Sequence, residues 1–173
     1  LKYANAAFEK DVTAANALAL ALVAYLSAVV MGYDEVSQPY ATSIPVWCKA
    51  AEPLAVDHPL LNLALGVTTY SQSNDPTALR IICEQALRQS SSDFVTLTLS
   101  GWAYIWIGDY PAALDCLRKA HKLGGQSPWA LTIQGGLALA SLQAGDDASA
   151  IAFAQQGLTV TTSYATLHRV LAA

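Results

Sequence analysis

The chain has 173 residues, which suits one compact domain or a short array of repeats; 54% of them are hydrophobic and only 13% are charged. Nine Lys and Arg against thirteen Asp and Glu give a net charge of −4. The scattered cations form no cluster that could displace counterions from phosphate, so we expect no direct nucleic-acid binding. Three cysteines without a C-x-x-C motif argue against a disulfide framework and favour a reducing, cytoplasmic compartment.

The first patterned segment, Val12 to Tyr33, contains no charged residue and is long enough to be compared with a membrane span. It is rich in alanine and includes Asn16 and Ser27. We therefore interpret Thr13–Met31 as a long helix buried by neighbouring helices and expect no membrane span. Before it, Tyr3–Glu9 is typical of the tail of an earlier helix pair.

A loop near Tyr33–Gln38 is predicted next, followed by a second helix within Pro39–Val56. Pro45 and Pro53 are expected at ends or kinks of that helix. From there the chain repeats itself, and three sets of landmarks share spacings of 35 and 34 residues: Pro59, Phe94 and Pro128; Gly66, Gly101 and Gly135; Ala51, Ala86 and Ala120.

The clearest unit runs from Asp93 to Ser127 and is predicted to form two helices joined by a turn at residues 108–111. Asp109 is expected to cap the second helix, and Gly124-Gly125 to close it in the left-handed conformation. Asp75-Pro76 and Ser127-Pro128 are interpreted in the same way, as a capping side chain followed by a proline in the first helical turn.

A helix–turn–helix unit of about 34 residues is the length of a tetratricopeptide repeat. The unit resembles that family at a small and an aromatic residue of its first helix, Gly101 and Tyr104. It also resembles the family at its turn and at two alanines of its second helix: Gly108, Asp109, Tyr110, Ala113 and Ala120. It lacks the family's closing proline and has Gly125 there.

The resemblance implies an all-α fold, a right-handed α-solenoid of antiparallel helix pairs with about four repeats and eight or nine helices. We expect one repeat domain over residues 1–173, divided into units 1–58, 59–93, 94–127 and 128–162 and a partial helix at 163–173. The spacing from Gly135 to Gly145 predicts a first helix about one turn longer in the last full unit.

The chain also resembles a narrower group, the repeat regions of bacterial class III adenylate cyclase-like proteins and of some winged-helix transcription regulators. The likeness lies in VVMGYDE, WAYIWIGDYPAALDCLRKA and YATLHRVLAA. It implies a non-catalytic regulatory piece of a longer signalling protein, attached to a cyclase-like catalytic domain. A winged-helix regulator and a structural oligomerisation domain remain alternatives.

We expect no catalytic, cofactor or metal site. Cys48, Cys83 and Cys116 recur at 35 and 33 residues, which places them on the inner stripe of successive second helices as free, buried thiols. The histidines form no metal-binding pattern: His58 lies in a connection, His121 on a solvated face and His168 in the last helix.

The first helices of such repeats line a concave groove. The positions predicted to line it are Leu60, Leu63, Val67, Tyr70, Val95, Thr98, Trp102, Ile105, Trp106, Trp129, Thr132 and Gly136. Because none is basic or Asn, we expect a protein or peptide partner with an apolar or amphipathic segment, or a second copy of the chain. The tryptophans have two possible interpretations: they belong to the core, or they line this groove.

Overall fold

A computed structural model describes residues 15–173, so the predicted helix tail Tyr3–Glu9 and the start of the first helix lie outside the described residues. The described part consists of helices, turns and loops without a β-strand, which confirms the all-α prediction. The helices are α1 (Ala15–Met31), α2 (Ile44–Ala51), α3 (Pro59–Ser73), α4 (Pro76–Gln89), α5 (Phe94–Trp106), α6 (Tyr110–Gly124), α7 (Ala130–Gln143), α8 (Asp147–Leu158) and α9 (Ala165–Ala172). Short helical turns lie at Asp34–Ser37, Gln38–Tyr40 and Ala55–Asp57.

The chain divides into two compact units, an N-terminal unit up to Gln89 and a C-terminal unit from Ser90. In the described part of the N-terminal unit, α1 packs on α2 and α3, and α3 packs on α2 and α4. In the C-terminal unit, each helix from α5 to α9 packs on the next, and α7 also packs on α5 and α9. Each unit has its own core, which includes Leu22 and Trp47 in the first and Leu117 and Ile133 in the second.

Three of the helix-to-helix turns share one local design. A residue with positive φ ends the first helix, and an aspartate directly after it caps the second helix. The pairs are Asn74 (φ 46°) with Asp75, Gly108 (φ 78°) with Asp109, and Gly145 (φ 78°) with Asp146. Because the connections are so short, the joined helices run antiparallel. The predicted capping of α4 by Asp75 and of α6 by Asp109 is thus confirmed, and Asp146 caps α8 in the same way.

Small residues allow the helices of the C-terminal unit to approach closely. A Cβ built on Gly101 would lie 2.5 Å from Leu117 Cγ, and one built on Gly135 would collide with the Tyr164 hydroxyl. A Cβ built on Gly157 would likewise collide with Leu167 Cδ1. Tyr164 and Leu167 are fully buried, so these contacts anchor α9 against α7 and α8.

The predicted left-handed closure at Gly124-Gly125 is wrong. The structure ends α6 with Gly125 in the right-handed region (φ −65°), and Gly124 is still helical. Gly124 is needed for a different reason, since its Cβ would lie 2.6 Å from the ring of Phe94. Helix packing, and not turn conformation, accounts for this glycine.

The predicted extra turn in the first helix of the last full unit is also wrong. Helix α7 has 14 residues against 13 in α5, because it begins only at Ala130. The predicted start of this helix, with Ser127 as the cap and Pro128 in the first turn, is wrong, because Trp129 is the N-cap. Ser127 instead stabilises a separate turn: its hydroxyl donates to Gly124 O at 2.6 Å and accepts from Trp129 N at 3.2 Å. The extension at the carboxyl end is therefore offset at the amino end.

Two prolines and one aspartate in the N-terminal unit occupy ordinary positions. Pro45 lies in the first turn of α2 and Pro53 follows its end, so neither kinks the helix. Asp34 begins a single helical turn within the segment predicted as a loop. Over residues 15–173, no helix combines the length and apolarity that crossing a bilayer requires.

Candidate protein-interaction surface

The predicted lining positions fall on three helices and one turn. Leu60, Leu63, Val67 and Tyr70 lie on α3 of the N-terminal unit, and the other eight belong to the C-terminal unit. Five of those eight lie on α5, whereas Thr132 and Gly136 lie on α7 and Trp129 directly precedes it. Helices α5 and α7 contact each other, so the structure brings these eight positions onto two neighbouring helices.

Burial separates the lining positions into two groups. Seven are buried: Leu63, Val67, Thr98, Trp102, Ile105, Thr132 and Gly136. Five keep accessible surface: Leu60, Tyr70, Val95, Trp106 and Trp129. The buried positions pack against other parts of the chain, so a ligand on the folded protein reaches mainly the second group.

Trp102 and Trp106 lie one helical turn apart on α5 but have different environments. Trp102 is 4% exposed, and its Nε1 donates a hydrogen bond to Thr132 O on α7 at 3.1 Å. A Cβ on Gly136 would lie 3.2 Å from the same nitrogen, so the indole fits against a glycine of α7. Trp106, in contrast, is 37% exposed. Trp102 therefore belongs to the core, and Trp106 is the tryptophan of α5 that a partner can reach.

The three cysteines are buried and form no disulfide, as their equivalent positions in the predicted repeats indicate. Cys48 lies on α2, Cys83 on α4 and Cys116 on α6. Burial, with a smaller contribution from Asp115, raises the pKa of the Cys116 thiol to about 11. Burial and Glu52 likewise raise the pKa of Cys48. Since the thiolate is the reactive form, both side chains are protected from modification.

We expect iodoacetamide at pH 8 to alkylate Cys48 and Cys116 about a hundredfold more slowly in the native chain than in urea, because the thiolate is scarce and covered. The folded pKa of Cys116, about 11, lies above the ordinary value of 9.0, so the protonated thiol favours the folded state. That contribution is complete below pH 9.0 and is lost as the pH rises through 11. Mass spectrometry of timed aliquots measures the rates, and rapid native labelling of all three thiols would contradict this expectation.

The histidines are placed by local structure. His58 is the N-cap of α3: its Nδ1 accepts from Leu61 N at 3.1 Å, so Nε2 carries the proton and donates to Asn16 Oδ1 at 2.9 Å. The connection predicted for His58 is therefore a specific cap, which the sequence analysis missed. His121, predicted on a solvated face, is half-buried, with Nδ1 buried beside Gly125.

Each unit contains a cavity of about 360 Å³ among the residues that the structure describes. The cavity of the N-terminal unit lies between α2 and α3 and includes Cys48, Lys49 and Glu52. The cavity of the C-terminal unit lies among α6, α7 and α8 and is lined by both apolar residues and residues with polar side chains. Within residues 15–173, no group of three or more His, Cys, Asp or Glu side chains has an arrangement that could hold a metal ion.

Comparison of the chain with protein-family models, with curated proteins and with solved structures finds no match.

Proposed function

We propose that the chain is a tetratricopeptide-like repeat module that binds a protein segment and regulates an attached effector domain. The observation that supports this most is the packing in the C-terminal unit. In the proposed repeats, α5 pairs with α6, α7 pairs with α8, and α9 begins the next pair. Helix α7 contacts the second helices α6 and α8, and it also contacts the first helices α5 and α9. Neighbour-to-neighbour packing of this kind is typical of helical repeats. A right-handed solenoid of about four such pairs is the arrangement we propose.

The repeated turn design supports the same proposal. A left-handed residue followed by a capping aspartate joins α3 to α4, α5 to α6, and α7 to α8. Asn74 takes the role that Gly108 and Gly145 have in the other two turns. Asparagine is one of the few residues other than glycine that adopt this conformation readily. The divergent turn at residues 73–75 is thus compatible with an equivalent repeat.

Trp106 is the proposed anchor for the partner. It is a large amphipathic side chain, is partly exposed, and lies on the first helix of the best-matching unit. Aromatic side chains at such positions commonly contribute a large share of binding energy. None of the accessible lining positions of the C-terminal unit, Val95, Trp106 and Trp129, is charged, so an apolar or amphipathic helix suits this unit better than a charged tail.

The attached effector we favour is a cyclase-like catalytic domain, with a winged-helix regulator as the alternative, because the resemblance at WAYIWIGDYPAALDCLRKA covers both groups. The chain itself then contributes recognition, and its partner segment comes from the same protein or from another one. A cytoplasmic location follows from this proposal.

The decisive experiment is selection of displayed amphipathic peptides on the intact chain, followed by affinity measurement of a selected peptide with variants. We expect selected peptides to have apolar residues at i, i+3 and i+4, and Trp106→Ala to weaken binding about tenfold or more. Ile151→Ala is the matched control, since Ile151 is a similarly exposed apolar residue on α8, the second helix of its proposed pair. Isothermal calorimetry gives both affinities.

Equal affinity of wild type and Trp106→Ala would contradict the assignment of the anchor. Selection of no amphipathic peptide would contradict the binding function itself. Sedimentation of the same samples tests the alternative that the chain is a structural oligomerisation domain. A concentration-independent oligomer that Trp106→Ala dissociates would identify a second copy as the occupant.

A further inference from the structure

The cavity of the C-terminal unit opens where the end of α6, the turn after it, the start of α7 and the end of α8 meet. Its volume of about 360 Å³ lies within the range of small-ligand pockets. The polar members of its lining are His121, Gln126, Ser127, Gln134, Gln156 and Thr159. Asp, Glu, Lys and Arg do not contribute to the lining.

Gln134 is the buried member of this lining. It is only 5% exposed, and its Oε1 has no hydrogen-bond partner among the described residues. A buried carbonyl oxygen without a partner disfavours the folded state, and an apolar side chain of similar length at this position of α7 would avoid that cost. The torsion that orients a glutamine amide is broad, so rotation can present either its donor or its acceptor to the cavity.

The hydroxyls around the cavity are already engaged. Ser127 Oγ donates to Gly124 O at 2.6 Å, and Thr159 Oγ1 donates to Gln156 O at 2.7 Å. Besides Gln134, the only other lining residue with a buried polar atom that lacks a partner among residues 15–173 is His121, through Nδ1. The buried side-chain atoms of this lining that lack a partner among residues 15–173 are therefore the amide oxygen of Gln134 and one imidazole nitrogen of His121.

We propose that this cavity binds a carboxamide group, with Gln134 as its hydrogen-bonding partner. A carboxamide carries a donor and an acceptor side by side and matches the amide of Gln134 in both directions. A carboxylate or an ammonium group would lose its hydration without meeting a Lys, Arg, Asp or Glu side chain of opposite charge in this lining. The group can come from a Gln or Asn side chain of a peptide or from a free primary amide. The site is separate from Trp106 and does not depend on the proposed repeat family.

Titration of the full chain followed by heteronuclear NMR tests the proposal with four probes. N-acetylglutamine methylamide represents a peptide side chain, and nicotinamide represents a free amide. N-acetylglutamate methylamide and nicotinate are their charged counterparts of the same shape. We expect saturable shifts of residues around the cavity with at least one amide probe, and about tenfold weaker binding of its carboxylate.

Binding of the glutamine probe alone assigns a peptide source, and binding of nicotinamide alone assigns a free amide. Binding of both supports recognition of the carboxamide itself. Absence of saturable binding by either amide, or equal binding of the carboxylates, overturns the proposal.

Gln134→Met keeps the length of the side chain and removes its amide. We expect it to abolish probe binding while thermal stability stays equal or rises, because a buried amide oxygen without a partner is lost. Gln155→Met changes an exposed glutamine of α8 outside the cavity and is the matched control, which should bind as wild type does. Ala130→Leu fills the cavity while leaving Gln134 in place and should also abolish binding.

Wild-type affinity in Gln134→Met, or an equal loss of binding in Gln155→Met, overturns the assignment of Gln134. If Gln134→Met does not fold, Ala130→Leu decides the matter, since retained binding in that variant overturns the cavity as the site.

Discussion

Replacing Trp102 with alanine should lower the free energy of unfolding of the C-terminal unit by about 3–5 kcal/mol, the usual cost of removing a large buried side chain. Trp102 is 4% exposed and donates from Nε1 to Thr132 O at 3.1 Å, so the substitution removes both packing and a buried hydrogen bond. Trp102→Phe should cost less, because much of the ring volume stays and mainly the hydrogen bond is lost.

Trp106→Ala is the control for this prediction, because it removes the same side chain one helical turn away at a position that is 37% exposed. We expect it to cost less than about 1 kcal/mol. Urea unfolding followed by circular dichroism, with Trp fluorescence as a second probe, measures all three variants. Equal stabilities of the two alanine variants would show that Trp102 is not a core residue.

The second large effect concerns glycines that share one repeat position. Gly101→Ala and Gly135→Ala should each lower the free energy of unfolding by about 2 kcal/mol, whereas Gly66→Ala should be neutral or stabilising by up to about 1 kcal/mol. At Gly101 the new methyl group would meet Cγ of fully buried Leu117, and at Gly135 it would meet buried Tyr164. At Gly66 it would meet only the partly exposed side chain of Ile82, at 2.8 Å from Cδ1 and 3.3 Å from Cγ2.

A double-mutant cycle attributes the effect to the named contact. Leu117→Ala alone creates a cavity, but together with Gly101→Ala it also makes room for the new methyl group. The double variant should therefore be more stable than the sum of the single effects predicts. Additive effects, or a Gly66→Ala variant as unstable as Gly101→Ala, would contradict the packing described for α5 and α6.

The sequence predicted much of the local structure, because local structure depends on short-range chemistry. Asp75 and Asp109 cap helices where a carboxylate precedes a helical run, and Gly108 ends a helix where a left-handed residue is needed. Cys48 and Cys116 occupy equivalent positions of the predicted second helices, which likewise indicated buried thiols. Helical periodicity alone is enough to assign a residue to the buried face of its helix.

Predictions that depended on which atoms meet across the fold were less successful. The sequence placed Trp102 and Trp106 together on one stripe, but only the position of α7 decides that one is buried against Gly136 and the other reaches solvent. Gly124 was interpreted as a helix stop, whereas the ring of Phe94, 30 residues earlier in the chain, is what excludes a side chain there.

The sequence by itself thus determined an all-helical chain, the capped turns and the buried phase of the cysteines. Only the tertiary structure decided which glycines are essential to packing, which tryptophan a partner can reach, and that Gln134 lies buried at the cavity of the C-terminal unit. The physical reason is that caps and helical periodicity are set within about four residues along the chain. Burial and close approach, in contrast, depend on side chains that come from other helices.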